Sequence, residues 1–371
     1  VIEFLLCLYI IIAPIINSLR IRLLGQEIHI YIIMAIIVLL FFIKISLPSL
    51  HDKTYCAGWV LFVFIGEIML HNYDGVEIEI GVILFIFLYI SFLMLPREVS
   101  LKKVYFAYFI STIISAFFSL KAGYSAMGIE RAATSVDGSI AIIGLIIILF
   151  AKENFEKDKI YSVFKGIALI SCVIVLAFGM SRARIALFAV IMLVKLFSAK
   201  NILTYKMNVF VAAALPIVFL VFLFIMETDL VHDLLDIISG RFERGFESEA
   251  RNVEYEIGLQ HFKDNIFIGA GFGPIVYPYD WYYLKVYYNH NMYMAILARG
   301  GLVLGGALLI SWLSMVRDVF KSKSLLIFMM VLAFFMLGYG NAGIFNYTIC
   351  GFFIPIILNL KAMESQKEEQ K

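Results

Sequence analysis

Apolar residues in this chain fall in long continuous runs, not in the alternation of a half-buried strand or the one-sided stripe of a water-soluble helix. A helix crossing about 30 Å of hydrocarbon at 1.5 Å per residue needs about twenty such residues, and only helices or closed barrels satisfy their backbone there. The runs predict spans over residues 1–18, 28–47, 55–70, 78–95, 104–120, 138–151, 160–178, 183–198, 207–226, 291–316, 324–340 and 346–361. The shortest of them suit broken or re-entrant helices. The connections are short except 227–290, and a loop of that length is usually functional. The expected architecture is an all-α integral membrane protein of about 12 transmembrane helices. Helices 1–9 occupy 1–226, a large external loop with interfacial helices 227–290, helices 10–12 residues 291–361, and a cytoplasmic tail 362–371.

Composition agrees. Of 371 residues, 62% are hydrophobic and only 16% charged, too few to solvate a water-soluble surface of this size. The formal charge of +2 supplies no field for nucleic acid. Cys7, Cys56, Cys172 and Cys350 are far apart in apolar runs, without CxxC, and read as small buried hydrophobes, not disulfide or metal ligands. The opening VIEFLLCLYIIIAPII has neither a basic n-region nor a small-residue cleavage site, which argues against a removable signal peptide. The absence of an initiator Met leaves room for residues ahead of Val1.

Sidedness follows from Lys and Arg, which cytoplasmic loops concentrate. Loops 96–103 (Arg97, Lys102, Lys103), 152–159 (Lys152, Lys157, Lys159) and 317–323 (Arg317, Lys321, Lys323) fall on one side of a twelve-span count, together with the tail lysines. Connections 71–77 and 341–345 carry no Lys or Arg. Both termini are therefore expected in the cytoplasm and 227–290 outside, with Arg20 and Arg22 as exceptions.

Ionisable groups near spans are costly and tend to be functional. Arg182 and Arg184, in FGMSRARIALF, open a span on the external side, either snorkelling to head groups or holding an anion. Arg131 lies in an external connection, and Arg241, Arg244 and Arg251 lie in the large loop. Ser248 is placed to cap a helix carrying Arg251, Tyr255 and Leu259 along one face, suited to lie on the bilayer surface. His290 directly precedes the span from Asn291, and an imidazole titrating near neutrality can act as a general base as well as a structural side chain. The aromatic run YPYDWYYLKVYY suits an interfacial belt or stacking on sugar rings. The run IGAGFGP follows no strand and meets Pro274, so it reads as a tight turn and not a nucleotide loop. HExxH, GxSxG, a Walker loop and a metal-type carboxylate pair are all missing from the external connections, which leaves a metal-independent mechanism with arginine as the positive charge.

Three features in order then resemble the O-antigen ligase and polymerase superfamily. They are Ser181-Arg182 opening a span, Arg251 through FKDNIFIGAGFG, and His290-Asn291 leading into MYMAILARGG. The resemblance covers roughly 175–310. Tyr255 stands where the family often has a Trp or aromatic soon after the arginine, Asn265 where Pro is usual, and Arg299 at a position often acidic. The resemblance implies a GT-C-like glycosyltransferase of the bacterial inner membrane, without cofactor or metal, acting on polyprenyl-diphosphate-linked oligosaccharide, with membrane lipid and a chain-length regulator as partners. Catalytic roles fall to His290, Arg251 and Arg182, and substrate contacts to Arg131, Arg184, Arg241, Arg244, Asn291 and Tyr255. Its implied activity is polymerisation of lipid-linked repeat units, with O-antigen ligation as the alternative. A flippase or exporter is a third reading, disfavoured because the charges cluster at one membrane face and no inverted repeat is evident.

Overall fold

The computed structural model describes residues 2–16, 20–23, 26–29, 100–124, 138–151, 158–179, 182–198, 249–271, 275–276, 285–286, 291–322 and 324–340. The expected spans 28–47 (beyond residue 29), 55–70, 78–95, 207–226 and 346–361 lie outside the described residues, as do Cys56 and Cys350. The helices are α1 (Ile2–Ile16), α2 (Leu101–Tyr124), α3 (Ser139–Phe150), α4 (Lys159–Gly179), α5 (Arg182–Phe197), α6 (Glu249–Asp264), α7 (Met292–Gly300), α8 (Gly306–Ser322) and α9 (Leu325–Gly340). Among the described residues, three stretches are long and apolar enough to cross a membrane: Leu101–Leu120, Lys159–Leu176 and Met292–Ile310. The chain is thus a predominantly helical membrane protein.

Among the described residues, two short antiparallel ladders depart from the expected all-helical pattern. β1 (Arg20–Leu23) pairs with β2 (Gln26–His29), and β3 (Ile275–Val276) with β4 (Lys285–Val286). The first hairpin, with only two residues between its strands, takes Ile28 and His29, where continuous hydrophobicity had started a span. Arg20 and Arg22 are strand residues in it.

Apart from its first two residues, the chain divides into two compact units. One holds Glu3–Tyr31 and Ser100–Glu247, the other Ile32–Val99 and Ser248–Lys371. In the first, α2 packs on α3 and α4. Its buried seam is Tyr105, Tyr108, Thr112, Ser115 and Ser119, at alternating steps of three and four. Small hydroxyl residues there let neighbouring helices approach closely. The Thr112 and Ser115 hydroxyls donate to the Tyr108 and Ser111 carbonyls one turn earlier. Helix α3 is apolar all round and buried along its whole length, as a helix enclosed by others should be. Its 12 residues rise only about 18 Å, one of the short spans anticipated from the sequence. Cys172 is buried, its thiol donating to the Ala141 carbonyl at 3.3 Å.

The starts of α1, α2 and α4 share one end of this unit. Lys103 pairs with Glu3 of α1, and Lys102 with Asp158, each at 2.6 Å. Asp158 also accepts from the Ile160 and Tyr161 amides and so caps α4. The Lys102 ammonium, seconded by those amides, holds its carboxyl below the usual carboxylate range. The beginning of α1, Ser100–Lys103 and Asp158 therefore meet at one end of the unit. Lys195 marks the same end of α5, donating to the Leu149 carbonyl at 2.6 Å near the end of α3.

In the second unit α7 and α8 pack on α9. Trp312 is fully buried edge-on against Phe334, ring centroids 5.1 Å apart, and Tyr293 lies parallel to Phe335.

Candidate functional site

Because α3 and α5 both finish at the lysine-rich end, both begin at the opposite one. Helix α5 starts at Arg182, close to where the apolar run was expected to open. Two residues on, Arg184 is buried, and its guanidinium packs over Gly138, the N-cap of α3. A Cβ at Gly138 would come within 3.0 Å of Nη1. Glycine gives this helix start no capping side chain. The positive end of the α3 macrodipole and a guanidinium thus share one spot, an arrangement that favours an anion. A cavity of about 590 Å³ in the same unit opens among Phe4, Phe106 and Tyr161 at the lysine-rich end instead.

The second unit is organised by a backbone exchange between the turn after α6 and the middle of the long apolar run. In an uninterrupted helix the Leu302 and Val303 amides would bond the Ala298 and Arg299 carbonyls. Gly301, at φ +60°, breaks that course, and Gly301–Gly305 continue as a π-turn. The Leu302 and Val303 amides donate instead to the Ile266 and Phe267 carbonyls, at 2.8 and 3.0 Å. The Ala298 and Arg299 carbonyls accept from the Ala270 and Gly271 amides, at 2.8 and 3.1 Å. Two helical rungs are replaced by four bonds to the turn. The expected span over 291–316 is accordingly two helices joined by a π-turn.

Arg299 closes this clasp from the side. It is almost completely buried and donates from Nη1 to the Gly271 carbonyl at 3.3 Å. His261, half-buried in the last turn of α6, is held below its usual range chiefly by burial and also by the Arg299 guanidinium, against the pull of Asp264. Neither residue stood among the expected functional positions, although a charged residue just before two glycines in an apolar run was the visible signal for Arg299.

Of the expected site residues, Arg131, Arg241, Arg244 and His290 lie outside the described residues. Arg182 heads α5 in the first unit, and Arg251 stands in the first turn of α6 in the second. Tyr255 is exposed on α6. Asn291 is the N-cap of α7, its Oδ1 accepting from the Tyr293 and Met294 amides at 3.0 and 3.1 Å. An Asn291→Ala change removes that cap and should cost about 1 kcal/mol, whereas Asn291→Asp should keep it. Thermal unfolding of the purified variants checks this, and an Ala variant melting with the wild type would refute the capping role.

The comparison with curated proteins finds no match for the chain. Residues 166–310 match the family model described as O-antigen ligase (Wzy_C), whose members are glycosyltransferase-like enzymes of polysaccharide biosynthesis. The matched stretch contains Arg182, Arg184, Arg251, Asn291 and both halves of the glycine clasp. Over this segment the chain is similar to that family, and the match supports the resemblance to the O-antigen ligase and polymerase superfamily.

Proposed function

We propose that the protein is a polysaccharide polymerase that joins undecaprenyl-diphosphate-linked repeat units on the outer leaflet of the bacterial inner membrane. The reaction is a single inverting displacement without metal. His290 takes the proton from an acceptor sugar hydroxyl as its oxygen attacks the anomeric carbon. The bond from that carbon to the diphosphate oxygen breaks, and the lipid diphosphate departs with the electron pair. Its charge is met by Arg182 and Arg251, with Arg131, Arg184, Arg241 and Arg244 in support, because planar guanidinium forks bind phosphate oxygens bidentately and stay protonated. Asn291 and Tyr255 contribute at the sugar side. General-base help of this kind is worth about 10²–10⁴-fold.

The observation that supports this reading best is the Arg184 guanidinium over the uncapped start of α3, at the end of its unit away from the lysines. An anionic leaving group suits that combination. The description of the matched family favours a second reading, ligation of finished glycan to lipid A core or to protein. Purified protein given undecaprenyl-diphosphate-linked repeat units separates the possibilities. Longer lipid-linked glycan without added acceptor is the result expected of a polymerase. Transfer only after lipid A core is supplied identifies a ligase. Movement of the substrate across the bilayer without any new glycosidic bond would return the exporter reading and overturn the enzymatic one.

A further inference from the structure

The turn after α6 is apolar where a water-facing turn should be polar. Ile266, Phe267 and Ile268 are exposed, Phe267 by 70%. The backbone bonds from Leu302 and Val303 place them beside two further exposed apolar side chains, Val303 by 59%. Leu302 and Val303 belong to the stretch Met292–Ile310, long and apolar enough to cross a membrane, so an apolar side chain exposed there faces lipid. The polarity changes abruptly, since Lys263 and Asp264 immediately before the turn are exposed and charged. Leaving a side chain such as Phe267 in water forgoes the hydrophobic stabilisation of its burial.

Much of the turn's backbone is bonded within the protein, as leaving water requires. Irregular chain is tolerated at membrane depth only where its polar groups are satisfied within the protein. Here the Ile266 and Phe267 carbonyls accept from Leu302 and Val303, and the Gly269, Ala270 and Gly271 amides donate to the Asn265, Ala298 and Arg299 carbonyls. A turn lying in water has no need of so many bonds within the protein.

From these observations we infer that Ile266–Phe267–Ile268 form a lipid wedge, a short re-entrant tip that enters the acyl chains of the leaflet on the side of the 227–290 connection. The water boundary falls between Asp264 and Ile266, which sets the height of α6 and of Arg251 in its first turn. The occupant is lipid, because the patch is continuous with a spanning helix and carries no charge of its own. The inference does not depend on the reaction proposed above.

The test uses the full-length protein with Cys7, Cys56, Cys172 and Cys350 replaced by Ala, and a single cysteine at Phe267→Cys or Lys263→Cys. Each carries an environment-sensitive fluorophore and is reconstituted in phosphatidylcholine–phosphatidylglycerol vesicles. The label at 267 should be quenched several-fold more by doxyl-phospholipid than by aqueous iodide, and the label at 263 should show the reverse. Iodide quenching at 267 as strong as at 263 overturns the wedge. Protection from both quenchers also overturns it, because protein would then cover the tip. If Phe267→Cys fails to accumulate, Ile268→Cys gives the same reading from the neighbouring exposed position.

Discussion

Gly269→Ala and Gly301→Ala should each strip most of the protein from the membrane fraction, or leave material that melts far below the wild type. A Cβ at Gly269 would lie 2.2 Å from the Arg299 carbonyl oxygen, and one at Gly301 2.5 Å from the Phe267 carbonyl. Both obstacles are backbone and cannot rotate aside. Both glycines also have positive φ, 81° and 60°, which costs a residue with a side chain about 1–3 kcal/mol. Relieving the overlap separates the turn from the helix and breaks four interlocking hydrogen bonds of about 0.5–1.5 kcal/mol each, with the freed groups left away from water. The combined loss is several kcal/mol, against a typical total stability of about 5–15 kcal/mol. Gly306→Ala is the control. It lies just beyond the π-turn, nothing stands within 4 Å of an added Cβ, and alanine favours helix over glycine by about 1 kcal/mol. Detergent-solubilised protein followed by size-exclusion chromatography and thermal unfolding should show normal Gly306→Ala and damaged Gly269→Ala and Gly301→Ala. A Gly269→Ala protein that melts with the wild type would show that the clasp has no structural weight.

The clasp also marks the limit of what the sequence disclosed. Continuous hydrophobicity located α2, α3, α4, α5 and α9, because a span must be apolar along its whole length whatever it packs against. Lysine counting put Lys102, Lys103 and the 152–159 loop on one side, and the Glu3–Lys103 and Lys102–Asp158 pairs join those ends. The turn at IGAGFG was legible from its glycines, yet its partner was not. Hydrogen bonds from the Leu302 amide to the Ile266 carbonyl and from the Ala270 amide to the Ala298 carbonyl join residues too far apart in sequence for any local period to register. For the same reason the run over 291–316 read as one helix. A single glycine at positive φ, Gly301, divides it while leaving its hydrophobicity unchanged. The buried setting of Arg184 was equally hidden, since the same residue at the start of a span serves as well for snorkelling to head groups. The β1–β2 hairpin escaped because Ile28 and His29 continue into apolar sequence, and composition alone cannot tell the end of a strand from the beginning of a helix.

His290→Ala should reduce polymer formation by about 10²–10⁴-fold while leaving accumulation in the membrane unchanged, since only the transfer step needs a proton acceptor. His290→Gln should be as inactive, because an amide can hydrogen-bond to the acceptor hydroxyl but cannot take its proton. Arg251 tests the other half of the chemistry. Arg251→Ala removes the charge and should abolish activity, and Arg251→Lys restores the charge without the fork. A hydrogen bond to a charged group contributes about 1.5–3 kcal/mol, and each 1.36 kcal/mol is tenfold in rate. The lysine variant should therefore run roughly ten- to a hundredfold below wild type, above alanine but far from rescued. Turnover on undecaprenyl-diphosphate-linked repeat units, normalised to protein in the membrane, gives these ratios. The split between the constants separates the roles. Loss at His290 should appear in kcat with KM little changed, because proton removal belongs to the transition state, while Arg251→Lys should also raise KM if the guanidinium holds the diphosphate in the ground state. Wild-type polymer from His290→Ala would remove the imidazole from the mechanism. Full rescue by Arg251→Lys would show that a point charge suffices and that bidentate binding of the diphosphate is not the role of this residue.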